Sequence, residues 1–365
     1  MRPIEIETLA EFDRRAKQAT SMRGWQVQDL DLTDREDVLA RLDPAGALLL
    51  GCTLSSEAED DLRHRGALVF PALPKVPFDA YRAGLYAASE LYEGLEHGYD
   101  HTPDATIYAW SLAANHPKVG GTSMHDSIAM SLHDNAIDDA LAEHVTGRRI
   151  VGVMGGHDLQ RDDPEYAGAA RVGADLAAAG LTVATGGGPG AMEAANLGAR
   201  FPGGGSALDT ALTALAEVPG FKDDITAWAQ KAVDVAATAT DTGRSLGIPT
   251  WFYGHEPPNP FPDRIAKYFR NAIREDVLLH VCNAGIVFLP GAAGTVQEIF
   301  QAACENYYAP AELRVPYVFV GRAYWTEEFP VWPLIRALGV RAGFDAALTL
   351  LDSTDEVAAT LGKEL

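Results

Sequence analysis

Between residues 149 and 298 the chain repeats one pattern: a short apolar run, a glycine turn, then a helical stretch. Residues 149–154 (Arg-Ile-Val-Gly-Val-Met) run into Gly155-Gly156-His157, and an alanine-rich helix is expected over 166–179. Residues 181–185 run into Gly186-Gly187-Gly188-Pro189-Gly190, with another helix from Ala191. Residues 285–289 run into Pro290-Gly291-Ala292-Ala293-Gly294-Thr295, followed by the amphipathic spacing of Val296, Ile299, Phe300 and Ala303. Strands this short and this apolar are buried on both faces. With helices between them, they hydrogen-bond side by side only as a parallel sheet. Further strands are expected at 247–253, 317–320 and 348–351.

The expected fold is therefore α/β: a Rossmann-like, doubly wound parallel sheet with helices on both faces, over 146–365. Its glycine turns lie at strand carboxyl ends, where such sheets open a ligand crevice. Residues 1–145 read as a smaller N-terminal α/β portion of unassigned role, with strands at 46–51 and 66–70 and a helix over 78–97. Residues 202–205 and 255–262 read as loops. Helices within 206–246 form an expected insertion near the site.

The turn at 290–295 carries the most chemistry. A strand, a small-residue turn and a helix start direct free backbone N–H groups and the positive end of a helix dipole at one point, which suits a phosphate. Glu298 follows Thr295 on the same helix face. A capping box, with Thr295 as N-cap and Glu298 reaching back, accounts for the same spacing. A helix is expected over 263–281, with Ile265, Phe269, Ile273 and Val277 on its apolar side and Arg270 and Arg274 sharing another. Either arginine is a candidate phosphate or transition-state contact; solvated arginines paired with Glu275 are the plainer alternative. Asp276 and His280, four apart, read as a mutually satisfied pair. His125-Asp126 and His133-Asp134 match no standard zinc or iron ligand spacing, and they read as polar lining of the pocket or a domain contact. The 186–190 cluster lacks the G-x-G-x-x-G spacing, which argues against a nicotinamide dehydrogenase.

Composition limits the partners. A formal net charge of −22 argues against a nucleic-acid binder. Three scattered cysteines, Cys52, Cys282 and Cys304, form no metal pattern and suit a reducing compartment. Neither a signal-peptide core nor a membrane-length apolar run is seen, so a soluble, cytoplasmic protein without membrane partners is expected.

Two segments together resemble the "Lonely Guy" phosphoribohydrolase family. Pro290 to Glu298 is similar to its Pro-Gly-Gly-x-Gly-Thr-x-x-Glu motif, with Ala292 in place of the second glycine. Gly186 to Ala194, with its Pro-Gly-Ala-Met-Glu-Ala form, looks closest to the longer bacterial nucleotide 5′-monophosphate nucleosidases. The resemblance covers about residues 148–325. It implies hydrolysis of the N-glycosidic bond of a nucleoside 5′-monophosphate, with AMP or an N6-modified AMP as the default. It implies a catalytic pair, Glu298 with Arg274 (or Arg270), and no cofactor or metal. It implies nucleotide contacts from Gly155, Gly156, His157, Gly187, Gly188, Gly190, Met192, Arg270, Asn271, Gly291, Ala292, Ala293, Gly294 and Thr295. It also implies a homo-oligomer, a dimer or an assembly of dimers. An older lysine decarboxylase label for the family finds no support, because no lysine sits at an obvious strand-end position. The competing reading is a non-catalytic nucleotide or molybdenum-cofactor carrier on the same fold.

Overall fold

The computed structural model describes residues 4–73, 75–114, 122–240, 242–252 and 256–364. Contacts divide the chain into two compact units: Met1–Gly84 with Ala114–Ala140, and Leu85–Ala113 with Leu141–Leu365. Where the sequence suggests one boundary near 145, the chain crosses between units three times, and residues 85–113 belong with the second.

The first unit holds four parallel strands, β1 (Ile4–Ile6), β2 (Trp25–Gln28), β3 (Leu48–Leu50) and β4 (Leu68–Phe70), in that spatial order. Ile6, Val27 and Leu49 point to one face, where they are fully buried with Phe12, Leu39 and Leu62 of the helices Leu9–Ala16, Glu36–Arg41 and Ser56–His64. The strands expected at 46–51 and 66–70 are β3 and β4. The helix expected over 78–97 shrinks to Ala88–Leu91 and a 3-10 turn at Leu95–His97. Tyr86 is the reason at one end: it is extended and exchanges backbone hydrogen bonds of 3.0 and 2.8 Å with Ile265. Gly94, at φ +80°, breaks the run at the other.

The second unit holds seven parallel strands: β5 (Ile150–Met154), β6 (Thr182–Thr185), β7 (Ser245–Gly247), β8 (Arg264–Ile265), β9 (Ile286–Phe288), β10 (Tyr317–Val320) and β11 (Leu348–Leu351). Their order is β11-β10-β9-β5-β6-β7-β8. The chain builds outward from β5 to β8, then returns to the other side of β5 with β9. The point of reversal lies between β5 and β9, where a doubly wound sheet parts its loops. The doubly wound parallel fold is thus as expected.

Two elements differ from expectation. The strand at 247–253 ends at Gly247; Pro249 cannot donate to a ladder, and Thr250 returns only as a lone bridge to Tyr268. Tyr253, like His255 of the loop read at 255–262, lies outside the described residues. The helix at 263–281 begins only at Asn271. Ile265, fully buried, pairs in β8 instead, and Tyr268 bonds Pro249 and Trp251, so strand pairing overrides the helical spacing.

Alanine and glycine place the helices near the crevice. Helix Pro164–Ala178 packs on helix Ala191–Ala199 so closely that a Cβ on Gly173 would lie 2.1 Å from Ala195 O, and one on Gly198 would lie 1.8 Å from Ala170 O. Only backbone fits there, which fixes the start of helix Ala191–Ala199 against the end of β5. Nearby, Arg161 and Glu193 form a buried bidentate pair at 2.5 and 3.2 Å, and Arg161 also reaches Val218 O and Trp228 O in the 206–246 insertion. Among the described residues no helix is long and apolar enough to cross a membrane.

Candidate active site

The turns after β5, β6 and β9 meet backbone to backbone. Gly156 N donates to Pro290 O, and Ala191 N donates to Gly156 O, both at 3.0 Å. Gly190 has φ +71°, and a Cβ there would sit 2.4 Å from Gly156 O. Gly187, also at φ +71°, leaves no room beside Pro249. Asn259 clamps the triple-glycine turn: its N donates to Gly187 O at 2.8 Å, and its Nδ2 donates to Gly188 O at 3.0 Å. Tyr324 Oη donates to Gly291 O at 3.0 Å and holds the last turn.

These turns surround a cleft of about 390 Å³. Of the residues expected to bind, Gly155, Gly156, His157, Gly188, Met192, Arg274, Ala292, Ala293, Gly294, Thr295 and Glu298 line it. Gly187, Gly190, Gly291, Arg270 and Asn271 do not. The glycines act in the turn backbone: a Cβ on Gly291 would meet the Thr295 hydroxyl at 2.2 Å. Asn271 acts through its neighbours. Its Oδ1 accepts from Arg274 Nε at 3.2 Å and Nη2 at 2.8 Å, and its Nδ2 donates to Glu275 Oε1 at 2.7 Å.

The late helix start decides between the two arginines. Arg270 becomes the residue before the helix, exposed, with its carbonyl accepting from Arg274 N. It shares no helix face with Arg274. Arg274 is 8% exposed and faces the cleft. Asp276 and His280 both face solvent, and Asp276 accepts from Gln301 at 3.3 Å rather than pairing with His280.

The capping box is not formed. Helix Ala293–Tyr308 has Ala292 as its N-cap, without a side-chain cap bond, and Thr295 is already helical. Ala292 has φ −88°, so alanine there carries no left-handed strain and the departure from glycine is tolerated. Val296 N is the first amide to bond back, to Ala292 O at 3.0 Å. Among the described residues the amides of Ala293, Gly294 and Thr295 meet no acceptor, and they edge the cleft. A Cβ on Gly294 would meet nothing within 4 Å, so its absence leaves open cleft.

Glu298 is thereby released from capping. It is 9% exposed, and its Oε1 lies 3.6 Å from Arg274 Nη1. Burial pushes its carboxyl up to about 7, Arg274 pulls it down, and Glu275 pushes it up. Glu275 sits on the other side of the guanidinium, 3.7 Å from Nη2, and accepts from Gln297 Nε2 as well as from Asn271. Arg274 is thus fixed between two carboxylates, with Nη1 toward Glu298.

Gly186, Pro249, Thr250, Glu256 and Glu275 also line the cleft, beyond the residues expected to bind. Glu256 Oε1 lies 3.6 Å from His157 Nδ1 at the cleft rim. Glu275 beside the paired arginines was a usable signal; a loop carboxylate such as Glu256 carries none. His125-Asp126 and His133-Asp134 do not line the cleft. They lie in the first unit, each histidine beside its own aspartate at 3.3 and 3.2 Å. Among the described residues no group of side chains is arranged to hold a metal, and no lysine lines the cleft.

Residues 148–207 match the model of the SLOG cluster4 family. That span runs from β5 through helix Ala191–Ala199, so it includes the first two glycine turns and stops before Arg274 and Glu298. No curated protein matches the chain. Among solved structures, the molybdenum cofactor binding protein of the phototrophic bacterium Rippkaea orientalis is similar at 15% identity, over 60% of this chain and 98% of its own, with a TM-score of 0.38. The molybdenum cofactor carrier protein of Chlamydomonas reinhardtii is similar at 17% identity, over 59% of this chain and 97% of its own, with a TM-score of 0.34.

Proposed function

We propose that this cleft hydrolyses the N-glycosidic bond of a nucleoside 5′-monophosphate, AMP or an N6-modified AMP, to free base and ribose 5-phosphate. The observation that carries the reading is Glu298. A carboxylate that caps nothing is buried in a cleft, one helical turn from free amides and 3.6 Å from a fixed guanidinium.

The 5′-phosphate accepts hydrogen bonds from the amides of Ala293, Gly294 and Thr295, at the positive end of helix Ala293–Tyr308. That anchors the ribose above Glu298, one turn further along. Glycosidic cleavage leaves positive charge on the ribose ring. The Glu298 carboxylate stabilises that charge and orients the water that captures it. Arg274 offsets the charge of the phosphate and holds the Glu298 carboxylate in place. No cofactor or metal is needed for these steps. The carboxylate is the working form, so kcat rises with pH through about 7, where burial has moved this group. The initial rate of AMP hydrolysis across that range checks the sign. A rate that falls through the same range would make Glu298 an acid that protonates the departing base.

The phosphate anchor gives the test of the substrate class. Nucleoside monophosphates and the matching nucleosides are compared for release of free base. The nucleosides are expected to turn over at least about a hundredfold more slowly, because remote binding supplies the positioning. Equal rates for AMP and adenosine would remove the phosphate from the mechanism. The chain works as a homo-oligomer in cytoplasm under the same reading.

A further inference from the structure

The sheet of the first unit has a second face, on which Leu48, Leu50 and Phe70 join Tyr81 and Leu132 in a smaller apolar cluster. Register puts Glu5 beside Gln26, Gln26 beside Leu48, Gln28 beside Leu50, and Leu50 beside Phe70. Side chains alternate along a strand, so these residues share the face opposite Ile6, Val27 and Leu49. Residues 127–139 of helix Met124–Val145 lie over this face without filling it. A cavity of about 420 Å³ is left between helix and sheet.

Two glutamines, Gln26 and Gln28, line that cavity. Gln26 Nε2 reaches Asp139 Oδ2 at 3.3 Å. Gln28 is 6% exposed, lines the cavity, and its side-chain amide makes no hydrogen bond among the described residues. The amide therefore opens onto the cavity, with two donors and two acceptor sites available to a guest. An apolar residue would suit plain packing at this position better, as Leu48 and Leu50 show on the next strand.

The cavity walls are flat and fixed. Tyr81 is buried, its hydroxyl donates to Pro71 O at 2.8 Å, and its ring rests where a Cβ on Gly51 would be, 2.7 Å away. Phe70 and Leu50 continue the wall. Two carboxylates, Glu5 and Asp139, face one guanidinium, Arg82, so an anion gains nothing by entering. A side-chain carboxamide reads the N6 and N7 edge of adenine with one donor and one acceptor, and aromatic walls take the ring face.

We infer that this cavity is a binding site for an unphosphorylated adenine moiety, free base or nucleoside, with Gln28 as the residue that reads its edge. The site belongs to the first unit and shares no residue with the cleft of Glu298, so it stands whether or not that cleft hydrolyses nucleotides.

The test is calorimetric titration of the full-length Arg274→Met protein, whose cleft is impaired, with adenine, adenosine and AMP. Saturable one-to-one binding of adenine or adenosine is expected, and any AMP binding that Gln28→Met removes should be weaker than either by at least about tenfold. Gln28→Met keeps the volume and removes the amide, and it is expected to weaken adenine binding by at least about tenfold. Should Gln28→Met unfold the sheet, Ala136→Leu fills the cavity from the helix side and is expected to abolish binding. Adenosine binding distinguishes the nucleoside from the free base as the preferred form. No saturable binding of either compound, or binding unmoved by Gln28→Met and Ala136→Leu in folded protein, would overturn the inference.

Discussion

Replacing Glu298 with glutamine is expected to lower kcat for AMP hydrolysis by at least about a thousandfold while leaving a folded protein that still binds AMP. Glutamine keeps the size and hydrogen-bonding reach of the side chain but carries no negative charge toward the ribose. The same substitution has a second, opposite signature. Burial holds the Glu298 carboxyl at about 7 in the folded protein, above its ordinary value of 4.5. Between those values the folded chain keeps a proton that the unfolded chain releases. This group's contribution is therefore full below the unfolded value and is lost as pH rises through about 7. Glutamine removes that loss. Glu298→Gln should gain in Tm relative to the parent as pH is raised from about 5 to about 8, while losing turnover throughout. Thermal melts and initial rates on the same two proteins check both signs. Turnover within about tenfold of the parent would remove Glu298 from the chemistry.

Arg274→Met should lower kcat/KM by at least about a hundredfold. Its guanidinium pulls the Glu298 carboxyl down, so its loss should also move the rising limb of the pH–rate profile to higher pH. A loss of packing alone would not move that limb. Arg270→Met serves as the comparison: Arg270 is exposed, precedes the helix and lies outside the cleft lining, so its effect should stay within about threefold. A larger loss from Arg270→Met than from Arg274→Met would reverse the assignment of the cleft's arginine.

The parts of the fold that show in sequence are those whose constraint is local. β10 and β11 lie at the residues expected, because short, mostly apolar runs of four bounded by turn residues have few alternatives. The glycine turns could be read because backbone crowding leaves only glycine at Gly187 and Gly190. What was hidden depends on distant partners. Ile265 and Phe269 have helical spacing, yet β8 and the contacts of Tyr268 with Pro249 and Trp251 hold this stretch extended. The choice between Arg270 and Arg274 therefore waited on where the helix begins. β2 is hidden because the Trp-Gln-Val-Gln alternation runs for only four residues, too few to distinguish a strand from its surroundings. The Asn259 clamp on the triple-glycine turn joins residues 71 apart, and no local pattern announces it. The spacing of Thr295 and Glu298 fits a capping box, yet none forms because the helix begins at Ala293 and Thr295 lies inside it.

The most direct measurement saturates the protein with AMP and analyses the same sample for products. Free adenine and ribose 5-phosphate should form in equal amounts, over many turnovers, with none from Glu298→Gln. AMP bound at saturation and recovered unchanged would contradict hydrolysis and make the cleft that of a nucleotide carrier.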